Sequence, residues 1–376
     1  MAERKIKIAR LWSRYDGNVP SRTPIILGLD GRKFETVCIY LKKSSEKTNF
    51  FEEKGFKTFY ISRKEFFRIF NIFAIWKLAG ILRTENIDIL HCHRHQATVY
   101  GTIAALIART PVVLGHVHGL NRSKPLRRKF INAFVLRRVT RLLAVGESVK
   151  QDILSQNHFL SSEKIISLGN SIDVDKFSNR ATTKEQAKRI LGLPAESFVY
   201  GTAGRMVPTK GYSYLIQAFV RVKQRVPNAH LVFAGDGRLR AELEELAQKE
   251  GVVPSIHFLG QREDMPNVLR ALDVFVLSSI AEGIPRVLLE AMAAGVPCIG
   301  TDVGGIGEIL DNGRLGSLVK PHDAEALAEA MVDMTRRTDS KELVEAARNK
   351  IIKYYSHDFL RKRLEEIYEE ALACIG

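Results

Sequence analysis

No stretch of eighteen uncharged apolar residues occurs in this 376-residue chain, so no membrane-spanning helix is expected. The opening Met1-Ala2-Glu3-Arg4-Lys5 runs into a strand-like Ile6-Lys7-Ile8-Ala9 without the apolar region of a secretion signal, which predicts a cytosolic protein. Cysteine is scarce: Cys38, Cys92, Cys298 and Cys374 lie far apart and form no CxxC pair, which argues against both a zinc ribbon and a disulfide framework. Five histidines fall between residues 91 and 118, but without HExxH spacing or a nearby carboxylate a zinc site is not expected there. No Asp-x-Asp pair stands in a loop suited to a metal. Tandem repeats and low-complexity tracts are absent as well.

What is present is ordinary globular composition, 45% hydrophobic and 26% charged, over a length that predicts two domains. The charge is uneven. Residues 1–180 hold 32 Lys and Arg against 15 Asp and Glu, a net of +17, while the remainder nets −2. This asymmetry predicts an anionic partner for the N-terminal half alone: nucleic acid, a phosphorylated acceptor or an acidic membrane surface.

Apolar β-rich runs alternate with amphipathic segments. Strands are predicted at Lys5–Arg10, Thr36–Leu41, Lys57–Ile61, Ile87–His93, Pro111–His118 and Arg141–Val145. A second series follows near Val199–Ala203, His230–Ala234, Ile256–Leu259, Val274–Leu277 and Pro297–Gly300. This is the rhythm of two α/β lobes, each a doubly wound parallel sheet. Lobe boundaries are placed at 1–175 and 176–354, with Thr182-Thr183-Lys184-Glu185 signalling a helix start. Ligands of such sheets sit beyond the strand C-termini, so two facing lobes would hold substrates in a cleft.

The first loop of the second lobe reads Gly204-Arg205-Met206-Val207-Pro208-Thr209-Lys210-Gly211. Arg205 can offer a planar fork to phosphate oxygens and Lys210 a point charge, while Gly204 and Gly211 let backbone approach closely; two solvated surface cations are the competing reading. Further on, Glu282-Gly283-Ile284-Pro285 precedes an apolar helix carrying Glu290. Pro285 suits the first turn. A buried Glu290 needs a polar partner, and the vicinal hydroxyls of a ribose are one; a structural ion pair is the other.

These residues resemble the large retaining glycosyltransferase family 4. The resemblance rests on Gly204-Arg205-x4-Lys210-Gly211, Ala234-Gly235-Asp236-Gly237, Phe258-Leu259-Gly260 with Arg262-x-Asp264, Glu282-x7-Glu290 in an EGxP-type segment, and Thr301-Asp302-Val303-Gly304-Gly305, covering roughly 165–320. It implies the GT-B fold of two Rossmann-like lobes. It also implies that Arg205 and Lys210 bind a donor diphosphate, Glu290 the ribose, Glu282 the transferred sugar with Gly283, Ile284 and Pro285 beside it, and backbone near Gly260–Arg262 the base. The implied donor is a UDP- or GDP-linked sugar, with no cofactor and no metal. The resemblance further implies attack from the face of departure, without a protein nucleophile.

In the N-terminal lobe the resemblance is weaker. Many relatives have a Gly-Gly pair after the first strand, and Gly17 in Tyr15-Asp16-Gly17-Asn18 is the candidate here. A His preceding Gly after a Pro-Val-Val strand matches the family residue that contacts the donor sugar. That makes His118 the choice and His116, two residues earlier on the same side, the reserve. Phe66–Lys77 and the Lys124–Arg138 helix combine aromatic and basic residues and read either as an interfacial membrane face or as sheet-packing aromatics with solvated cations. A terminal helix over 355–376 is assigned by resemblance to the N-terminal lobe.

The reading is thus a retaining transferase of a hexose or N-acetylhexosamine, acting on a lipid-linked or polysaccharide acceptor at the inner face of the cell membrane. The rivals are a non-hydrolysing nucleotide-sugar epimerase on the same fold and a basic nucleic-acid-binding protein. The EGxP segment disfavours the first, and the lack of a recognition helix or RNA-type aromatic motif disfavours the second.

Overall fold

The structure, a computed structural model, describes residues 4–19, 23–62, 71–117, 126–179, 181–336 and 340–374. The chain divides into two compact units, Met1–Gly169 together with His357–Gly376, and Asn170–Ser356.

The first unit is built on a seven-stranded parallel sheet: β1 (Ile6–Trp12), β2 (Phe34–Lys42), β3 (Thr58–Ser62), β4 (Ile89–His93), β5 (Val112–Val117), β6 (Arg141–Ala144) and β7 (Ile165–Ser167). Their order is β3-β2-β1-β4-β5-β6-β7. Period-two alternation sorts the side chains. Ala9 and Leu11 of β1, with Val37, Ile39 and Leu41 of β2, share a core with the helices Ile72–Thr84 and Arg94–Ala108. On the opposite face Ile8, Ile89, Val112 and Leu114 meet Leu360, Leu364, Ile367 and Tyr368 of the terminal helix His357–Ala373. Each fully buried aliphatic side chain there contributes about 1.5–3 kcal/mol.

The second unit carries β8 (Phe198–Ala203), β9 (Ala229–Ala234), β10 (Ile256–Phe258), β11 (Val274–Leu277), β12 (Cys298–Thr301) and β13 (Ser317–Val319), all parallel, in the order β10-β9-β8-β11-β12-β13. Both sheets have the doubly wound order whose direction reverses beside the first strand, between β1 and β4 and between β8 and β11. The helix Lys184–Ile190 starts where Thr183 caps it, in a reciprocal capping box with Gln186.

The segment 170–175, assigned from the sequence to the N-terminal lobe, packs with the second unit. The Asn170 side chain donates to Ile284 O at 2.7 Å, and Ile172 N–H donates to Tyr355 O at 2.9 Å, forming a parallel bridge with Ser356. The second unit therefore begins and ends at adjacent points. Among the described residues no helix is long and apolar enough to cross a membrane.

Candidate active site

At the C-terminal ends of β8, β9 and β11 a pocket of about 640 Å³ opens in the second unit, where the order reversal parts the strand-to-helix loops. Its lining includes Gly204, Arg205, Lys210, Arg262, Glu282 and Glu290, together with Ile284 and Pro285.

Two loops are joined to make its floor. Ile280 N–H donates to Thr209 O at 2.8 Å and the Ser278 hydroxyl to Lys210 O at 3.0 Å. Gly211, at φ +61°, makes this approach possible, since a Cβ there would lie 2.2 Å from Ser278 O. Gly235 does the same behind Gly204: its own Cβ would lie 2.1 Å from Gly204 O, and its N–H donates to Gly260 O at 2.7 Å. Gly260 thus supports the pocket from behind, and Gly283 is held from the other side by the Gly305 N–H at 2.8 Å. The Ala234–Gly237 and Thr301–Gly305 motifs accordingly shape the loops that carry charge.

Lys210 Nζ lies 2.6 Å from Glu282 Oε1, and the Ser279 hydroxyl donates to the same oxygen at 2.7 Å. Both partners of the ion pair are largely buried, with side-chain exposures of 17% and 13%. The residues assigned from the sequence to diphosphate and to sugar therefore hold each other. Arg262 is gripped by Asp264 through two bonds of 2.8 and 2.7 Å, which raises the guanidinium pKa and lowers that of the carboxylate.

Glu290 lies on the helix Arg286–Ala293, which starts directly after Pro285. Leu288, Leu289, Ala291 and Met292 bury its apolar face, leaving Glu290 at 16% side-chain exposure on the pocket side. Burial pushes its carboxyl pKa up, opposed by Arg286 and Lys176. Arg286, 3.9 Å away one turn earlier, is a pocket cation that sequence reasoning missed; its spacing of four from Glu290 was the available signal. The start of this helix also directs its positive dipole end into the pocket.

Gly17, at φ +87°, lies in the first unit in the loop beyond β1. His118 lies outside the described residues, as do 66–70 of the segment Phe66–Lys77 and 124–125 of the segment Lys124–Arg138. His116 is described and is 1% exposed, in a cluster with His91 and His93, whose ligand-capable nitrogens all lie within 4.8 Å of one another. The rings of His91 and His93 stack at 4.5 Å, and His93 stacks on Trp12 at 4.9 Å.

Two Rossmann-like parallel sheets, one bearing a pocket of cations and carboxylates at its strand ends, define the GT-B fold. Residues 183–357 match the family described as Glycosyl transferases group 1, and residues 27–176 match Glycosyltransferase Family 4. The UDP-Gal:alpha-D-GlcNAc-diphosphoundecaprenol alpha-1,3-galactosyltransferase of Escherichia coli is 30% identical over 303 residues, 78% of this chain and 77% of that protein. In fold, a glycosyltransferase from Rickettsia africae superposes with a TM-score of 0.84 at 22% identity, covering 98% of this chain and 99% of that one. Anabaena HepE in complex with UDP gives 0.82 at 18% identity, covering 97% and 100%. The chain belongs to glycosyltransferase family 4.

Proposed function

We propose that this chain transfers a hexose or N-acetylhexosamine, with retention, from a nucleotide-diphosphate sugar to a lipid-linked or polysaccharide acceptor in cell-envelope glycan synthesis. The observation that carries this reading is the convergence of Arg205, Lys210, Glu282 and Glu290 on one pocket at the ends of parallel strands. The E. coli relative, named for a UDP-linked sugar and a diphosphoundecaprenol acceptor, supports the donor and acceptor classes.

In this reading Glu290 accepts from the ribose hydroxyls, while Arg205, Lys210 and the start of the 286–293 helix meet the diphosphate. As the glycosidic C–O bond breaks, negative charge grows on the departing diphosphate and these groups stabilise it. The acceptor hydroxyl oxygen bonds to the anomeric carbon from the face of departure, and its proton passes to a departing phosphate oxygen. Glu282 acts as a positioning carboxylate for the sugar, since Lys210 and Ser279 already engage one of its oxygens. The diphosphate competes with Glu282 for Lys210, so donor binding and reorientation of Glu282 are one event. No divalent metal is required in this reading, so activity is expected to survive EDTA.

The acceptor's lipid brings the chain to the inner face of the cell membrane. At the start of the helix Ile72–Thr84, Ile72, Phe73 and Trp76 are 61%, 81% and 58% exposed, an apolar patch on the strongly basic half of the chain.

The test is a thermal-shift screen of UDP-, GDP- and ADP-sugars followed by an assay of acceptor-dependent nucleotide release. A raised midpoint with one donor and release that needs acceptor are expected. Release of a free epimer, or binding of duplex nucleic acid without any donor, overturns the reading.

A further inference from the structure

Four cations line the pocket of the second unit: Arg205, Lys210, Arg262 and Arg286. Two of them are held by carboxylates at hydrogen-bonding distance, Lys210 by Glu282 at 2.6 Å and Arg262 by Asp264 at 2.8 and 2.7 Å. Arg286 is not. Its Nη2 stands 3.9 Å from Glu290 Oε1, and its Nε is buried with no hydrogen-bond partner among the described residues. A guanidinium offers five donors in a fixed fork, and burying one of them unmet opposes folding.

Its place in the chain is unfavourable as well. Arg286 is the first residue of the helix Arg286–Ala293, whose first turn holds no acidic residue. The unpaired N–H groups of a helix start carry partial positive charge, so a cation there is repelled where a carboxylate would be attracted. Both features break local rules in the same direction. A single anion at the helix start answers both, accepting from the fork and from the dipole end together.

The neighbours say which anion. The inference rests on the reading above, in which the pocket takes a nucleotide-diphosphate sugar, a linear string of ribose, first phosphate, second phosphate and sugar. In that reading Glu282 and Lys210, bonded to each other, take the sugar and the phosphate it departs from, and Glu290 takes the ribose. Arg286 and Glu290 lie four residues apart on one helix, so their side chains share a face, with Arg286 nearer the helix start. The cation one turn from the ribose carboxylate, on the side of the phosphates, meets the phosphate esterified to the ribose. A separation of 3.9 Å leaves the fork to the phosphate and the carboxylate oxygens to the hydroxyls.

We propose that Arg286 is a donor-binding residue whose guanidinium grips the ribose-linked phosphate, dividing the diphosphate with Lys210, which takes the phosphate that leaves the sugar. The division has a kinetic consequence. Charge grows on the sugar-linked phosphate as the glycosidic bond breaks, whereas the ribose-linked phosphate is ionised before and after. Arg286 therefore binds ground state and transition state alike and acts on KM, while Lys210 acts on kcat.

Calorimetric titration of the full-length protein with uridine, UMP and UDP, and with the guanosine and adenosine series in parallel, separates the two phosphates without turnover. In Arg286→Gln the gain in affinity from nucleoside to monophosphate is expected to shrink about tenfold, the worth of one charge-assisted hydrogen bond, while the further gain from monophosphate to diphosphate is kept. Lys210→Ala is expected to do the reverse. With donor and acceptor present, Arg286→Gln should raise donor KM by a similar factor and leave kcat near wild type. Weakening of nucleoside, monophosphate and diphosphate by one common factor would mean that Arg286 acts only through Glu290 and would overturn the proposal. Unchanged monophosphate binding in Arg286→Gln overturns it too, and both results leave the reading of the pocket standing. A wild type that binds no diphosphate of the three bases removes that reading and this inference together.

Discussion

Replacing Glu290 with glutamine keeps the side chain's shape and removes its charge at pH 7. That carboxylate is 16% exposed, and its ion-pair partner, Arg286, stands at 3.9 Å, beyond hydrogen-bonding distance. Burial raises its pKa. A carboxyl whose folded pKa is raised stabilises the fold fully below the ordinary glutamate range and loses that contribution as pH rises through the folded value. Wherever it is ionised, the group therefore weakens the fold. Glu290→Gln should leave Tm equal to or above wild type at pH 7, with any advantage vanishing on acidification. Donor binding should move the other way. A hydrogen bond to an ionised acceptor is worth about 1.5–3 kcal/mol, and glutamine loses one of two to the ribose, so donor KM should rise roughly 10- to 150-fold. Calorimetric titration of donor, thermal melts between pH 4.5 and 7.5, and steady-state kinetics measure all three. A variant with unchanged donor affinity and a lowered Tm would refute the argument, because it would make Glu290 a structural ion-pair partner.

Lys210→Ala removes a cation from the leaving group and releases Glu282; kcat should fall about 10²- to 10³-fold, the cost of one preorganised charge-stabilising donor, measured at saturating donor and acceptor. Gly235→Ala puts a Cβ 2.1 Å from Gly204 O at φ +140°, so lowered Tm and loss of donor binding are expected together in a thermal-shift series. His230 and His257, bonded at 2.9 Å, both have pKa values lowered by burial. They stay neutral in the fold while the unfolded chain takes up protons, so stability falls as pH drops through the ordinary histidine range, and less steeply in His257→Gln, by denaturant melts from pH 7.5 to 5. Phe73→Ser with Trp76→Ser should abolish co-sedimentation with anionic vesicles and spare nucleotide release with a water-soluble acceptor. Vesicle binding equal to wild type would remove the membrane face.

The two-sheet architecture was legible because ten of the thirteen strands among the described residues are runs of four or more residues with β-rich patterning against amphipathic neighbours, and Ile256–Phe258 stands in the apolar run Ile256–Leu259. The other two, Ile165–Ser167 and Ser317–Val319, span three residues each and show no period at all. In the pocket, Arg205, Lys210, Glu282 and Glu290 were readable because spaced charges in Gly/Pro loops and a carboxylate in an apolar helix break local rules. Arg286 was hidden by its place in an EGxP segment, where the glutamate and proline drew the reading. That Lys210 and Glu282 hold each other, 72 residues apart, is a product of loop packing that no local pattern encodes. Arg10 of β1, 0% exposed and donating to Tyr368 Oη at 2.8 Å, was hidden most completely. An arginine at the end of a predicted strand reads as exposed, since arginine is almost never fully buried, and only the covering helix makes it otherwise.

The bridge between Ile172 and Ser356 has a consequence for how this protein is made. Because the second unit is one uninterrupted segment with adjoining ends, a nascent chain holds all of it once residue 356 has left the ribosome. The first unit does not share that advantage. Its sheet is translated first and closed last, so the face with Ile8, Leu114 and the Arg10–histidine cluster waits uncovered through nearly two hundred residues of synthesis until Leu360, Leu364 and Tyr368 arrive. That interval, rather than the finished fold, is where a chaperone has most to protect.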